Sequence, residues 1–250
     1  MASRFLSLMY WIFVSVTALA LFPVALFVWG TTALWDPRRA ILHRFTSFWA
    51  SLYTWCSPLW RVEVKGKENI QPGTPYVMVA NHSSATDIMV LYRLFTHFKW
   101  VSKAENFKVP LIGWNMRLNG YVPLRRGDKA SVQTMLEACR ALLAQGSSVM
   151  MFPEGTRSET PELRPFKTGA FALARTANVP VLPIAILGTR EALAKHGWIC
   201  RPARIRVQVL PAEPPATFAA SDLETFAASV RERIGDALTS DGKGRPSLGA

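Results

Sequence analysis

The sequence predicts an α/β layer fold carried on an N-terminal pair of membrane-associated helices. Two observations predict the helices. From Phe5 to Trp35 there are 31 residues without a charged or histidine side chain, and Phe45–Trp60 is a second uncharged stretch carrying Trp49, Tyr53, Trp55 and Trp60. About 20 apolar residues suffice to cross the hydrocarbon, and that aromatic loading suits a membrane–water boundary. The third observation predicts the layer: beyond Trp60, short apolar runs behind turn residues alternate with segments of helical period. The expected division is 1–60 membrane-embedded, 61–238 α/β domain, and a disordered tail over 239–250.

Each element has its reason. Pro23 and Gly30 interrupt the first apolar run. This allows either one spanning helix followed by an interfacial one, or a hairpin dipping into one leaflet. Arg38, Arg39 and Arg44 lie between the two uncharged stretches, where they suit anionic headgroups. Tyr76–Ala80, Lys99–Ser102, Tyr121–Leu124, Ser148–Phe152 and Val181–Leu187 read as strands. Arg204–Leu210 alternates polar and apolar residues, the pattern of a half-exposed strand. Asp128–Gln145 reads as a helix with Asp128 as N-cap and Gly146 as stop, and Phe166–Ala177 as another. Ser221 with Glu224 has the capping-box spacing, opening a helix with Phe226, Val230, Ile234 and Leu238 on one stripe.

Composition narrows the function. Half the residues are hydrophobic and 18% are charged, which excludes a disordered polyelectrolyte. The net charge of +12 implies anionic partners, and Lys99–Lys129 holds seven basic residues against Glu105 and Asp128. Aromatics gather in the apolar N-terminal region rather than among the basic residues, so no nucleic acid partner is expected. The cysteines Cys56, Cys139 and Cys200 form no C-x-x-C pair, which argues against a disulfide framework or zinc site.

Two loops carry chemistry. Asn81-His82-Ser83-Ser84-Ala85-Thr86-Asp87 follows the strand at Tyr76–Ala80. On one ideal helix, positions five apart point about 140° away from each other. His82 and Asp87 can therefore pair only if His82 sits in the loop and folds back over the first turn. Paired, the carboxylate fixes the imidazole tautomer and leaves the other nitrogen to take a hydroxyl proton. Unpaired, His82 is a capping residue and Asp87 an ordinary first-turn acid. Phe152-Pro153-Glu154-Gly155-Thr156-Arg157 is the second loop. Gly155 permits a tight turn beside a hydroxyl and a guanidinium, a combination suited to phosphate. Glu154 can orient a donor or a hydroxyl. His43, His97 and His196 lack such a partner pattern and read as structural or solvated.

Together the motifs resemble the glycerolipid acyltransferase family, specifically 1-acylglycerol-3-phosphate acyltransferases. The resemblance runs from about Asn81 to Pro183. It rests on Asn81-His82 with Asp87, Gly120–Arg126, Phe152–Arg157 followed by Pro165–Gly169, and Val179–Pro183, in that order. The segment Val101–Phe107 also looks like the family's linking segment. The resemblance implies a mixed sheet flanked by helices, of glycerol-3-phosphate acyltransferase type. It implies His82 as general base and Asp87 as its orienting partner. The free sn-2 hydroxyl of lysophosphatidic acid then attacks the thioester of acyl-CoA or acyl-carrier protein, giving phosphatidic acid. Arg126, Gly155, Thr156 and Arg157 would hold the acceptor phosphate, with Glu154 ordering the loop or touching the acceptor. Lys103, or a backbone N–H near Gly169, would face the oxyanion. No cofactor beyond the thioester co-substrate is implied, and no metal, since His82 lacks ligand-spaced partners. The expected setting is a membrane, the inner one in a bacterium, with anionic lipids as partners and the catalytic domain facing the cytoplasm. Two alternatives stay open: another lysolipid or glycerol 3-phosphate as acceptor, and a non-catalytic adaptor binding anionic lipid. The adaptor would leave His82 and Asp87 far apart.

Overall fold

The computed structural model describes residues 2–240. They form a seven-stranded sheet, flanked by helices, in the order β1-β7-β6-β2-β5-β3-β4. The strands are β1 (Trp60–Lys65), β2 (Val77–Ala80), β3 (Phe98–Lys103), β4 (Val122–Leu124), β5 (Ser148–Met151), β6 (Val181–Leu187) and β7 (Ala203–Val209). β6, β2, β5, β3 and β4 run parallel, so their carboxyl ends share one edge; β7 is antiparallel to β6 and parallel to β1. β2, β5 and β6 are buried almost throughout and read as continuous apolar runs, as parallel strands covered on both faces do. β7 buries Ile205, Val207 and Val209 and turns Arg204, Arg206 and Gln208 outward, as its alternation predicts. β1 alternates in the same way, but its charged positions Arg61, Glu63 and Lys65 hide it from an apolar-run reading.

One face of the sheet is covered by α5 (Lys129–Ala144), α6 (Gly169–Ala177) and α9 (Leu223–Ser240), whose apolar sides join Val77, Val79, Val149 and Val181 in one core. Asp128 caps α5, its Oδ1 accepting from the Ser131 amide at 3.1 Å, and Gly146 follows in the left-handed region at φ +81°. The other face carries α3 (Thr86–Leu91), α4 (Ile112–Leu118) and the N-terminal pair, α1 (Ala2–Thr32) and α2 (Ala40–Trp55). Short helices α7 (Thr189–Ala192) and α8 (Pro215–Phe218) complete the domain.

Three expectations shift. The box Ser221–Glu224 is not the cap of α9: Asp222 accepts from the Thr225 amide at 2.8 Å, while the Ser221 hydroxyl donates backward to the Thr217 carbonyl. The expected helix from Phe166 starts only at Gly169, because the Lys167 amide donates to the Pro153 carbonyl at 3.0 Å and stays in the loop. α9 continues through Ser240, two residues into the expected tail, and 241–250 lie outside the described residues.

α1 is long and apolar enough to cross a membrane. Its stripe Ser7, Tyr10, Val14, Ala18 and Ala25 is buried against α2 and the domain, while Phe5, Leu8, Ile12, Val16, Leu19 and Phe27 point outward. Contact with the domain extends along the helix. The Ser7 hydroxyl accepts from the Cys200 amide at 2.8 Å, the Trp11 indole donates to the Trp198 carbonyl at 2.7 Å, and Phe22 packs on Trp114.

The joint between α1 and α2 is fastened to the sheet. The buried Lys99 ammonium on β3 donates to the carbonyls of Arg38 and Asn119, both at 2.6 Å. Arg39 donates to the carbonyls of Arg117 and Leu118 at the end of α4. Cations at a helix carboxyl terminus complement its dipole.

Candidate active site

The carboxyl ends of β2 and β5 lie side by side, since Val79 pairs with Met151. The two motif loops therefore leave the sheet as neighbours. Where β2 stops, Asn81 extends the ladder with its side chain: it donates to the Ile186 carbonyl at 2.9 Å and accepts from the Ile186 amide at 2.8 Å. This fixes the chain entering His82. The next turn folds back over the start of α3, as the five-residue spacing requires.

His82 Nδ1 lies 2.8 Å from Asp87 Oδ2. The same oxygen accepts from the amides of Ser83 at 2.7 Å and Ser84 at 2.8 Å. Three donors converge on one oxygen, which suits an anionic carboxylate. Asp87 is fully buried, and it offers His82 only an acceptor. Nδ1 therefore carries the proton and Nε2 keeps its lone pair, with no hydrogen-bond partner among the described residues. The imidazole lies flat on Phe152, ring centroids 3.9 Å apart and planes at 7°, and Trp100 backs Phe152 in turn. The ring is thus held at one nitrogen and one face.

Glu154 joins the loops. Its Oε1 accepts from the His82 amide at 2.7 Å and its Oε2 from the Arg164 amide at 3.2 Å. The Ser158 amide donates to the His82 carbonyl at 2.8 Å, so the backbone of His82 is clamped in both directions. Burial pushes the Glu154 carboxyl above its ordinary value, against the two amide donors that hold its charged form. Both Glu154 oxygens are thus engaged with backbone amides, one from each side of the pair of loops.

Gly155 takes φ +74°, and a Cβ there would meet the Lys167 ammonium at 3.0 Å. Lys167 thus overhangs the turn of Gly155, Thr156 and Arg157, all half-buried. Arg157 donates one Nη to the Lys195 carbonyl at 2.7 Å.

The other expected residues stand farther along the same edge. Lys103 ends β3, exposed, its ammonium 3.7 Å from Glu105. Arg126 is exposed in the turn after β4. β4 is three strand steps from β2, roughly 15 Å at ~4.8 Å per step. The structure brings His82, Asp87, Glu154 and Gly155 together, and leaves Lys103 and Arg126 on the outer half.

Sequence reasoning missed Phe152, Asn81 and Lys167 as site residues, though all three stand inside or beside the motifs. The available signal for Phe152 was its place at the end of a strand paired with β2. Of the other histidines, His43 is buried between the Tyr121 hydroxyl and the Thr96 carbonyl, and His97 bonds the Ser147 hydroxyl.

The family model described as Acyltransferase matches residues 61–187. A 1-acyl-sn-glycerol-3-phosphate acyltransferase of Chlamydomonas reinhardtii is 42% identical over 181 residues, 71% of this chain and 54% of the relative. Another, from Saccharomyces cerevisiae, is 34% identical over 182 residues, 71% of this chain and 59% of the relative. The chain spans about half the length of the first of these. In fold it is similar to the crystal structure of the 1-acyl-sn-glycerophosphate (LPA) acyltransferase PlsC of Thermotoga maritima, with a TM-score of 0.78, 98% of both chains covered and 24% identity. The chain belongs to the acyltransferase family.

Proposed function

We propose that the chain acylates the sn-2 hydroxyl of lysophosphatidic acid from an acyl thioester, giving phosphatidic acid. One observation carries the reading: an imidazole oriented by Asp87, its Nε2 free, stands on the same sheet edge as a glycine turn overhung by Lys167 and flanked by Arg157. Nε2 takes the hydroxyl proton as the oxygen attacks the thioester carbonyl. The tetrahedral intermediate collapses, the carbon–sulfur bond breaks, and the departing thiolate receives the proton from the imidazolium. Asp87 stabilises that imidazolium. The Gly155–Arg157 turn and Lys167 hold the acceptor phosphate. Lys103 and Arg126 extend the cationic field outward. The names of the similar proteins from Chlamydomonas and yeast support the same acceptor.

α1 and α2 attach the enzyme to the membrane. The contacts of α1 with the domain from Ser7 to Phe22 support a helix pair that dips into one leaflet, its outward apolar side in lipid. The catalytic domain then lies at the cytoplasmic surface, and acceptor lipid reaches His82 without crossing water.

Transfer of a labelled acyl group from a thioester to lysophosphatidic acid by the purified chain tests the reading. His82→Ala is expected to lower kcat about 1000-fold, within the range for a lost general base. Undiminished transfer by that variant contradicts the mechanism, and a preference for an acceptor without phosphate contradicts the role of Arg157 and Lys167.

A further inference from the structure

The outer half of the sheet edge holds a cleft of about 450 Å³ between the ends of β3 and β4 and helix α4. Lys108, Arg117 and Arg125 line it beside Glu105, over the rings of Phe107 and Tyr121. None of the three cations makes an ion pair or side-chain hydrogen bond among the described residues. The one carboxylate, Glu105, lies against Lys103 and is held below its ordinary value first by a backbone amide hydrogen bond and then by Lys103 and Lys108. Three cations therefore face a cleft in which the single acid already has a partner. Such an arrangement asks for an anion with several negative oxygens.

Distance decides which anion. A lysophosphatidic acid carries its phosphate only a few bonds from its free hydroxyl. With the hydroxyl at His82, that phosphate stays beside the β2 and β5 loops. The cleft lies two to three strand steps away, roughly 10–15 Å at ~4.8 Å per step. A pantetheine thioester is built differently: a long flexible arm separates its acyl carbonyl from its phosphates. We propose that the Lys108–Arg117–Arg125 cleft binds the phosphate end of the thioester donor while its carbonyl lies at His82. This rests on the acyl-transfer reading above. It divides one edge between two anions, the acceptor phosphate at β5 and the donor phosphates at β3–β4.

The test uses the full chain in detergent. Equilibrium binding of CoA needs no turnover, so it reads the cleft separately from the reaction. Arg125→Gln is expected to weaken CoA binding about tenfold, the equivalent of about 1.4 kcal/mol, and to raise the KM for acyl-CoA equally. The KM for lysophosphatidic acid should move less than twofold. Lys108→Gln and Arg117→Gln, also exposed, repeat the measurement at independent positions. With an acyl-pantetheine lacking phosphate, wild type and variants should have the same donor KM. Acyl-4′-phosphopantetheine separates the sources: a retained variant effect assigns the cleft to the arm phosphate, and an effect confined to acyl-CoA assigns it to the nucleotide phosphates. The proposal is overturned if the variants bind CoA as wild type does, if the acceptor KM rises instead, or if only binding to anionic vesicles falls. CoA binding that depends on the cleft in a chain that transfers no acyl group would overturn the reading above and leave the cleft standing.

Discussion

The inner and outer halves of the sheet edge handle charge in opposite ways. Between β2 and β5, Asp87 and Glu154 are buried, and each carboxylate is met by backbone amides or by His82. Between β3 and β4, the charges of Lys103, Lys108, Arg125 and Arg126 are exposed. Burying an ion costs several kcal/mol unless its partners are placed well, so the inner half is rigid and does geometry. Exposed cations keep their hydration and act through field and encounter. On the proposed reading, proton transfer and anion capture share one edge because the solvation of their groups differs.

The largest expected effect attacks the inner half at its centre. Asp87→Asn keeps the shape and one oxygen for the three donors, but removes the negative charge that stabilises the imidazolium and puts an NH2 at the buried Oδ1 position, which has no hydrogen-bond partner among the described residues. We expect kcat to fall about 1000-fold, with little change in either KM, as for an orienting carboxylate. Measured kcat within tenfold of wild type would break the comparison, since burial and geometry would then count for little.

Glu154→Gln comes next. One amide oxygen must replace two carboxylate oxygens, and an NH2 group meets a backbone N–H. A buried donor left unsatisfied costs about 1–3 kcal/mol, so Tm should drop by roughly 2–10 °C for a domain of this size. Activity should fall with it, because His82 loses its backbone clamp. A Tm drop without loss of kcat would show that the clamp holds the fold and not the imidazole.

The same division by solvation explains how much was legible in the sequence. β2, β5 and β6 were plain because a strand buried on both faces must be apolar throughout. The pairing of His82 with Asp87 was foreseeable as the one geometry in which a five-residue spacing can pair, though the spacing alone could not require it. β1 was missed because its register hides charged residues on alternate positions, and α4 because seven residues, Ile112–Leu118, give too short a period. The cap of α9 was misplaced by one residue because Ser221 and Asp222 are both capping residues, and the chain's path selects between them. Lys167 could not be placed over Gly155 from sequence, since eleven residues of loop separate them and the loop is closed by bonds from the Lys167 amide to Pro153 and from the Arg164 amide to Glu154. The cleft at Lys108, Arg117 and Arg125 is assembled from three segments, and its basic residues were visible while its concavity was not.

β3 itself repeats the comparison within one strand. Lys99 near its start is buried, and Lys103 at its end is exposed. Burial first, then the Arg39 charge, lowers the Lys99 ammonium to about 7, although two carbonyls hold it. Between about 7 and the ordinary lysine value of 10.5, the unfolded chain binds more protons than the folded one. Stability therefore rises with pH across that window, and the contribution is lost as pH falls through the folded value. Lys99→Met should remove that slope in a series of Tm measurements between pH 7 and 10. A slope unchanged in the variant would mean that Lys99 is no more desolvated than Lys103.

The smallest expected effect tests the outer half at its mildest. Lys103 is 46% exposed at its side chain and shares its charge with Glu105 at 3.7 Å. Exposed pairs contribute about 0–1 kcal/mol and fade with salt, and the Debye length is about 10 Å at 0.1 M. Lys103→Gln removes one cation and leaves Glu105 without its partner, so the local net charge falls by one unit and the field at the acceptor weakens. A two- to threefold rise in the KM for lysophosphatidic acid at low salt is expected, shrinking towards none near 0.5 M salt as screening tightens. Glu105→Gln should do the reverse and lower that KM. If Lys103→Gln instead lowered kcat a hundredfold at any salt, Lys103 would be acting on the oxyanion at close range, and the inner half would extend one strand farther than its burial suggests.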